Sequence, residues 1–148
     1  MTRVEPCGPE AAAVVHRITQ AAFGSYTWLT PPSGAVYETE DVVRDQLTAR
    51  PGLVAYVDGA AAGCLRSETH DDGTLHLRRV AVDPAYRGRG VCAALVRAAE
   101  DAARAEGWAE LRLGVRDELP DNLALFRHLG YAVVAEHDFW IELSKELA

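Results

Sequence analysis

Hydrophobic and polar positions along the chain follow two periods, one near two residues and one near 3.6. A short strand candidate opens the chain. Pro9 and Glu10 then suit the first turn of a helix, in which Val14, Ile18 and Ala22 recur at four-residue spacing, and Gly24 can end it. Thr39 is a natural cap for a second helix, with Val42, Val43, Gln46 and Leu47 on its faces, and Pro51-Gly52 stops it. Leu53 to Val57 has strand character, Asp58-Gly59 is a two-residue turn, and the chain returns through Cys64 and Leu65. A second turn, His70 to Gly73, leads into TLHLRRVAV, a strand whose arginines interrupt an apolar run and which Asp83-Pro84 ends. From Gly90 the period turns helical, with Val91, Leu95, Ala98 and Ala102 in register, until Gly107. WAELRLGVR predicts another strand. DNLALFRHLG predicts a short helix, with Asp121 or Asn122 near its cap. YAVVAEHDFWIEL predicts two strands joined around His137-Asp138.

The predicted order is β-α-α-β-β-β-α-β-α-β-β. Helices interleave with strands that are partly joined by hairpins. The expectation is an α/β (α+β mixed sheet) fold, a central mixed sheet flanked by helices. No repeat or low-complexity tract interrupts it, and 148 residues predict one domain, 1–148.

Composition narrows the class. No apolar run approaches the roughly 18 residues of a membrane helix. MTRVEPCGPE carries two glutamates and two prolines where a signal peptide needs an apolar stretch, so a cytoplasmic location is expected. Cys7, Cys64 and Cys92 form no C-x-x-C pair, so free thiols and no metal site are expected. A formal net charge of -7 argues against a general binder of nucleic acid or anionic membranes.

AYRGRGVCAAL, residues 85–95, stands against that acidity. From 78 to 89 the chain has arginines at 78, 79, 87 and 89, and one acid, Asp83. A strand, a loop with Gly88 and Gly90, and a helix follow one another. The first amides of a helix have no internal acceptor, and its dipole places partial positive charge there. Glycines admit an anion close to the backbone, and Arg87 and Arg89 add charge. Together they predict a phosphate cradle. It is neither a dinucleotide-binding G-x-G-x-x-G nor a P-loop, since no Lys-Ser/Thr follows.

RRVAVDPAYRGRGVCAALVRAAE resembles the central motif of the GNAT acetyltransferases, whose Arg/Gln-x-x-Gly-x-Gly/Ala signature falls on Arg87, Gly90 and Cys92. Cys92 departs from the pattern but is small. VDGAAAG and LPDNLALFRHLGY resemble further family segments. The resemblance implies a GNAT-like acyl-CoA N-acyltransferase fold in which LHLRRVAV and AELRLGVR are neighbours that splay into a cleft. It implies acetyl-CoA as co-substrate. Val80, Ala81 and Val82 would serve the pantetheine arm, and Arg87, Gly88, Arg89, Gly90, Val91 and Cys92 the pyrophosphate. Asn122 would contact the cofactor or cap its helix. Phe126 stands where relatives often have a tyrosine that protonates the leaving thiolate. Phenylalanine has no proton to give, so packing under the cofactor is its expected role, and Tyr26 or Tyr37 could substitute only if their loop folds over the cleft.

Acetylation of an amine needs the neutral amine, which a base near neutral pKa supplies. His76 is one candidate base, because alternation places it on one strand face with Arg78, Val80 and Val82. Otherwise it is a surface residue. Glu38, at the end of SYTWLTPPSGAVYETE, is the other candidate, or else a first-turn charge that complements a helix dipole. The expected activity is N-acetylation of a small-molecule or peptide amine by direct attack. The alternative is a non-catalytic acyl-CoA-binding module. The loop with Tyr26, Trp28 and Tyr37 is expected to choose the acceptor or to anchor itself in the core, and the C-terminal strands could support a homodimer.

Overall fold

The computed structural model describes Met1 to Ala148. The elements are β1 (Thr2–Cys7), α1 (Ala12–Gly24), α2 (Glu40–Ala49), β2 (Gly52–Val57), β3 (Ala60–Thr69), β4 (Leu75–Val82), α3 (Val91–Glu106), β5 (Glu110–Arg116), α4 (Pro120–His128), β6 (Ala132–Glu136) and β7 (Trp140–Glu146). This is the order the periodicity predicts. The strands form a mixed seven-stranded sheet in the order β1-β2-β3-β4-β5-β7-β6. By contacts the chain divides into two compact units, Met1–Ser67 with Arg79–Ala99, and Glu68–Arg78 with Glu100–Ala148.

In the first unit β1, β2 and β3 pair antiparallel, with Val4 opposite Ala55 and Val54 opposite Cys64. Asp58 and Gly59 take φ of 50° and 87°, the double left-handed geometry of a tight hairpin. Thr39 caps α2 as expected, its hydroxyl accepting from the Val42 amide at 3.2 Å. The core joins Ala12, Val15, Ile18 and Ala22 of α1 to Val43, Leu47, Val54, Cys64 and Ala81. Gly63 is required by packing. A Cβ there would meet Val91 Cγ1 at 2.8 Å and the Ala81 carbonyl at 3.0 Å.

In the second unit β5 and β7 pair antiparallel from Glu110–Glu146 to Arg116–Trp140, and β6 pairs with β7. Leu75 and His76 of β4 pair in parallel with Leu111 and Arg112. Leu111, Leu113, Val115 and Leu143 are buried. Glu100 is also buried, satisfied by Tyr131 Oη at 2.9 Å and by Lys145 Nζ at 3.0 Å. Those bonds hold the tyrosine of the Leu-Gly-Tyr turn in place.

Three local expectations need correction. The stripe of α3 runs through Val91, Leu95, Val96, Ala99 and Ala103, while Ala102 is exposed. Val96 and its partners at 3.6-residue spacing turn the stripe one position from that drawn from small alanines. Asn122 is not a cap. Leu119 is the N-cap and Pro120 starts α4, which leaves Asn122 half-buried in the first turn. Strict alternation along β4 fails at Arg79, whose φ is 52°. A left-handed residue inside a strand re-aims the side chains beyond it, so one face does not run unbroken from His76 to Val82.

Candidate active site

The glycine loop is built from its neighbours inward. Asp83 Oδ1 accepts from the Ala85 amide at 2.9 Å, closing a turn over Pro84–Tyr86. Gly88 and Gly90 then take φ of 78° and 77°. Only glycine adopts this conformation without strain, and nothing lies within 4 Å of where a Cβ would stand on either. Val91, buried, fixes the start of α3. The amides of its first turn have no intrahelical acceptor. The loop is therefore open at both glycines and leads into the unpaired amides of a helix start, the arrangement that the phosphate-cradle expectation requires.

Both arginines expected to add charge to the loop have neighbours of their own. Arg87 Nη2 donates to the Ala22 carbonyl at 3.2 Å and to Ser25 Oγ at 3.0 Å, and its guanidinium lies 5.0 Å from the centre of the Tyr26 ring. The group therefore caps the carbonyl end of α1, where a cation is favoured. Arg89 lies over Tyr86 at 5.5 Å. Burial pushes the Cys92 thiol up to about 11, which leaves it unreactive at neutral pH. Ala81 is buried in the core, while Val80 and Val82 are partly exposed.

Glu38 is no first-turn charge. It precedes the α2 cap and turns its side chain inward, where only 8% is exposed. Its carboxylate accepts from Arg66 Nη2 at 2.8 Å, Arg66 Nη1 at 3.2 Å and Arg79 Nε at 3.3 Å. Burial pushes its pKa up, but the two guanidiniums outweigh burial and hold it below the ordinary carboxylate value. Arg66 is itself buried and also donates to Gln46 Oε1 at 2.7 Å. His16 bonds the Glu38 carbonyl at 2.9 Å, and Gln20 Nε2 donates to the Ala35 carbonyl at 2.7 Å. The segment before α2 is thereby fastened to α1 and β3. Trp28 and Tyr37 stay exposed on it, and Tyr26 packs edge-on against Phe23 and Trp28. Sequence reasoning missed Arg66, whose one signal is a lone arginine after the small apolar run AAAGCL.

In the second unit His76 is partly exposed, bonded through Nε2 to Thr74 Oγ1 at 2.8 Å and stacked on His70 with ring centres 3.5 Å apart. Burial, and then the charge of His70, hold its pKa below the ordinary histidine value. Phe126 is buried, edge-on to Tyr131 at 6.0 Å. This is a packing position with no proton to offer.

The model of the acetyltransferase (GNAT) family matches residues 15–131. The chain belongs to the GNAT acetyltransferase family. Solved GNAT structures share its fold at low sequence identity. The PaiA N-acetyltransferase of Thermoplasma acidophilum, solved in complex with coenzyme A, aligns at a TM-score of 0.85 and 14% identity over 99% of each chain. The ribosomal-protein-S18-alanine N-acetyltransferase of Escherichia coli aligns at 0.80 and 20% identity over 100% of this chain and 95% of its own. An N-acetyltransferase of Staphylococcus aureus aligns at 0.78 and 16% identity over 100% and 99%. No curated protein matches the sequence. No helix of this GNAT chain is long and apolar enough to cross a membrane.

Proposed function

We propose that residues 1–148 act as one N-acetyltransferase domain that moves acetyl from acetyl-CoA to a primary amine of a small molecule or peptide. The observation that carries this is the open loop of Gly88 and Gly90 at the first amides of α3, within a GNAT family match. The CoA pyrophosphate would sit on the amides from Arg87 to Cys92, with the pantetheine along Val80–Val82; Asn122 and Phe126 are the remaining cofactor-binding candidates by resemblance. Arg87 contributes by pinning the loop to α1 rather than as a free charge. Two structural neighbours support the class, one solved with coenzyme A and one named for the alanine amine it acetylates.

In the reaction the lone pair of the neutral amine attacks the thioester carbonyl. The C–N bond forms, the C–S bond breaks and CoA leaves as thiolate. The amine proton passes to His76, the candidate whose lowered pKa keeps it neutral and able to accept at neutral pH. Glu38 is held by two cations and serves instead as the anchor of the acceptor-side loop. Phe126 donates nothing, so the thiolate takes its proton from solvent.

Calorimetry with acetyl-CoA tests the reading. The wild type should bind saturably, and Gly90→Glu, which places an anion and a side chain at a left-handed position, should lose binding while keeping its melting temperature within a few degrees. A wild type that does not bind would overturn the proposal. Phe126 also favours a second reading, a non-catalytic acyl-CoA-binding module. Saturable binding with no CoA thiol released against a panel of primary amines would select it.

A further inference from the structure

His76 belongs to a chain of hydrogen bonds whose protons can be counted. Thr74 Oγ1 lies 2.6 Å from Asp72 Oδ1 and 2.8 Å from His76 Nε2, and the Thr74 amide also donates to Asp72 Oδ1 at 3.1 Å. The hydroxyl and amide of Thr74 hold the Asp72 carboxyl below its ordinary pKa, so at neutral pH it is ionised and only accepts. The short contact between Thr74 and Asp72 therefore takes the single hydroxyl proton. Thr74 Oγ1 is left with lone pairs alone. Its contact with the ring needs a proton from the ring, and that proton is on Nε2. A neutral imidazole carries one ring proton, which leaves the free lone pair on Nδ1.

The surroundings keep the ring neutral. His70 is stacked on it at an interplanar angle of 9°. His70 Nε2 lies 3.0 Å from Glu68 Oε1, which also accepts from Arg78 Nη1 at 2.6 Å. Arg112 of β5 stands in register with His76 and pairs with Glu110 and with Glu142 of β7. Asp72 and Glu142 favour the imidazolium. Burial, His70 and Arg112 oppose it, and the opposing set prevails.

We propose that Asp72 and Thr74 are positioning residues that lock His76 as its Nε2–H tautomer and so make Nδ1 the atom that takes the amine proton. The last step rests on the proposed amine acetylation, while the tautomer lock does not. In that step the proton moves from the attacking nitrogen to Nδ1 as C–N forms and C–S breaks, and the imidazolium returns it to solvent.

Long-range proton–nitrogen spectra of the full chain at pH 7.5 test the lock. The wild type and Thr74→Ser should show His76 protonated on Nε2 and bare on Nδ1, and Thr74→Val should show a mixture of tautomers. In acetyl transfer to a panel of primary amines, Thr74→Val should lower kcat roughly tenfold, a fraction of what a general base supplies. It should leave KM for acetyl-CoA unchanged and shift the acid limb of the pH profile, and Thr74→Ser should restore both. A wild-type ring protonated on Nδ1, or charged at pH 7.5, overturns the proposal. So does a Thr74→Val protein with unaltered spectrum or unaltered acid limb. Spectra as expected in a chain that acetylates no amine would uphold the lock while overturning the role of Nδ1 and the acetyltransferase reading together.

Discussion

Glu38 and His76 are ionisable groups in opposite settings. Glu38 has 8% of its side chain exposed and faces two guanidiniums. His76 is partly exposed and faces a second imidazole at 3.5 Å. The first setting fixes a charge. A buried carboxylate with two cations stays ionised far below neutrality, and what it supplies is attachment of the chain around it. The second setting frees a charge to move. Burial first, and then the like charge of His70, hold the His76 pKa below its ordinary value, so the ring is neutral at neutral pH and able to accept a proton.

The largest test of this contrast is Glu38→Ala. It leaves Arg66 buried without its carboxylate, with Gln46 as a neutral acceptor, and should cost about 3–5 kcal/mol in urea unfolding. Glu38→Ala combined with Arg66→Met should recover much of the loss. If the double variant is as unstable as the single one, the carboxylate does more than pair with Arg66.

The next test is acid. Because the folded pKa of Glu38 lies below its unfolded value, the native state binds fewer protons there. Its contribution to stability is complete above the ordinary carboxylate pKa and is lost as pH falls through the depressed one. Unfolding followed from pH 7 to pH 2 should therefore be shallower in Glu38→Ala than in the wild type.

Arg79→Gln removes the 3.3 Å ion pair to Glu38 from a side chain 21% exposed, and loss of that pair should cost about 1 kcal/mol or less in the same unfolding assay. A cost as large as that of Glu38→Ala would move Arg79 from bystander to member of the buried pair.

The smallest effect concerns His76. Its folded pKa is lowered, so the unfolded chain binds the extra proton and stability rises with pH through the window below the ordinary histidine value. His76→Gln should flatten that slope between about pH 5 and 6.5, seen in chemical denaturation at stepped pH. A slope unchanged by the substitution would assign it to other groups.

Much of this was legible before any coordinates. Asp58-Gly59, Thr39 and the glycines of the loop act within a few residues of themselves, so each could be placed from its neighbours alone. The failures have a common cause. Glu38 meets Arg66 and Arg79 across 28 and 41 positions of chain, and no local period carries that information. Asn122 was displaced from the cap because Pro120 starts the helix two residues earlier. The alternation along β4 was broken by a left-handed arginine, a conformation that nothing in Arg79 itself announces.

The sequence by itself determined the element order, the open glycine loop before α3 and the absence of a proton donor at Phe126, because propensity, turn chemistry and side-chain composition are local properties. Only the tertiary structure decided that Arg87 caps α1, that Glu38 is an anchor and that His76 shares a proton network with Thr74 and Asp72. Charge, burial and hydrogen-bond geometry depend on which atoms come together in space, and those partners are chosen by the packing of the whole chain.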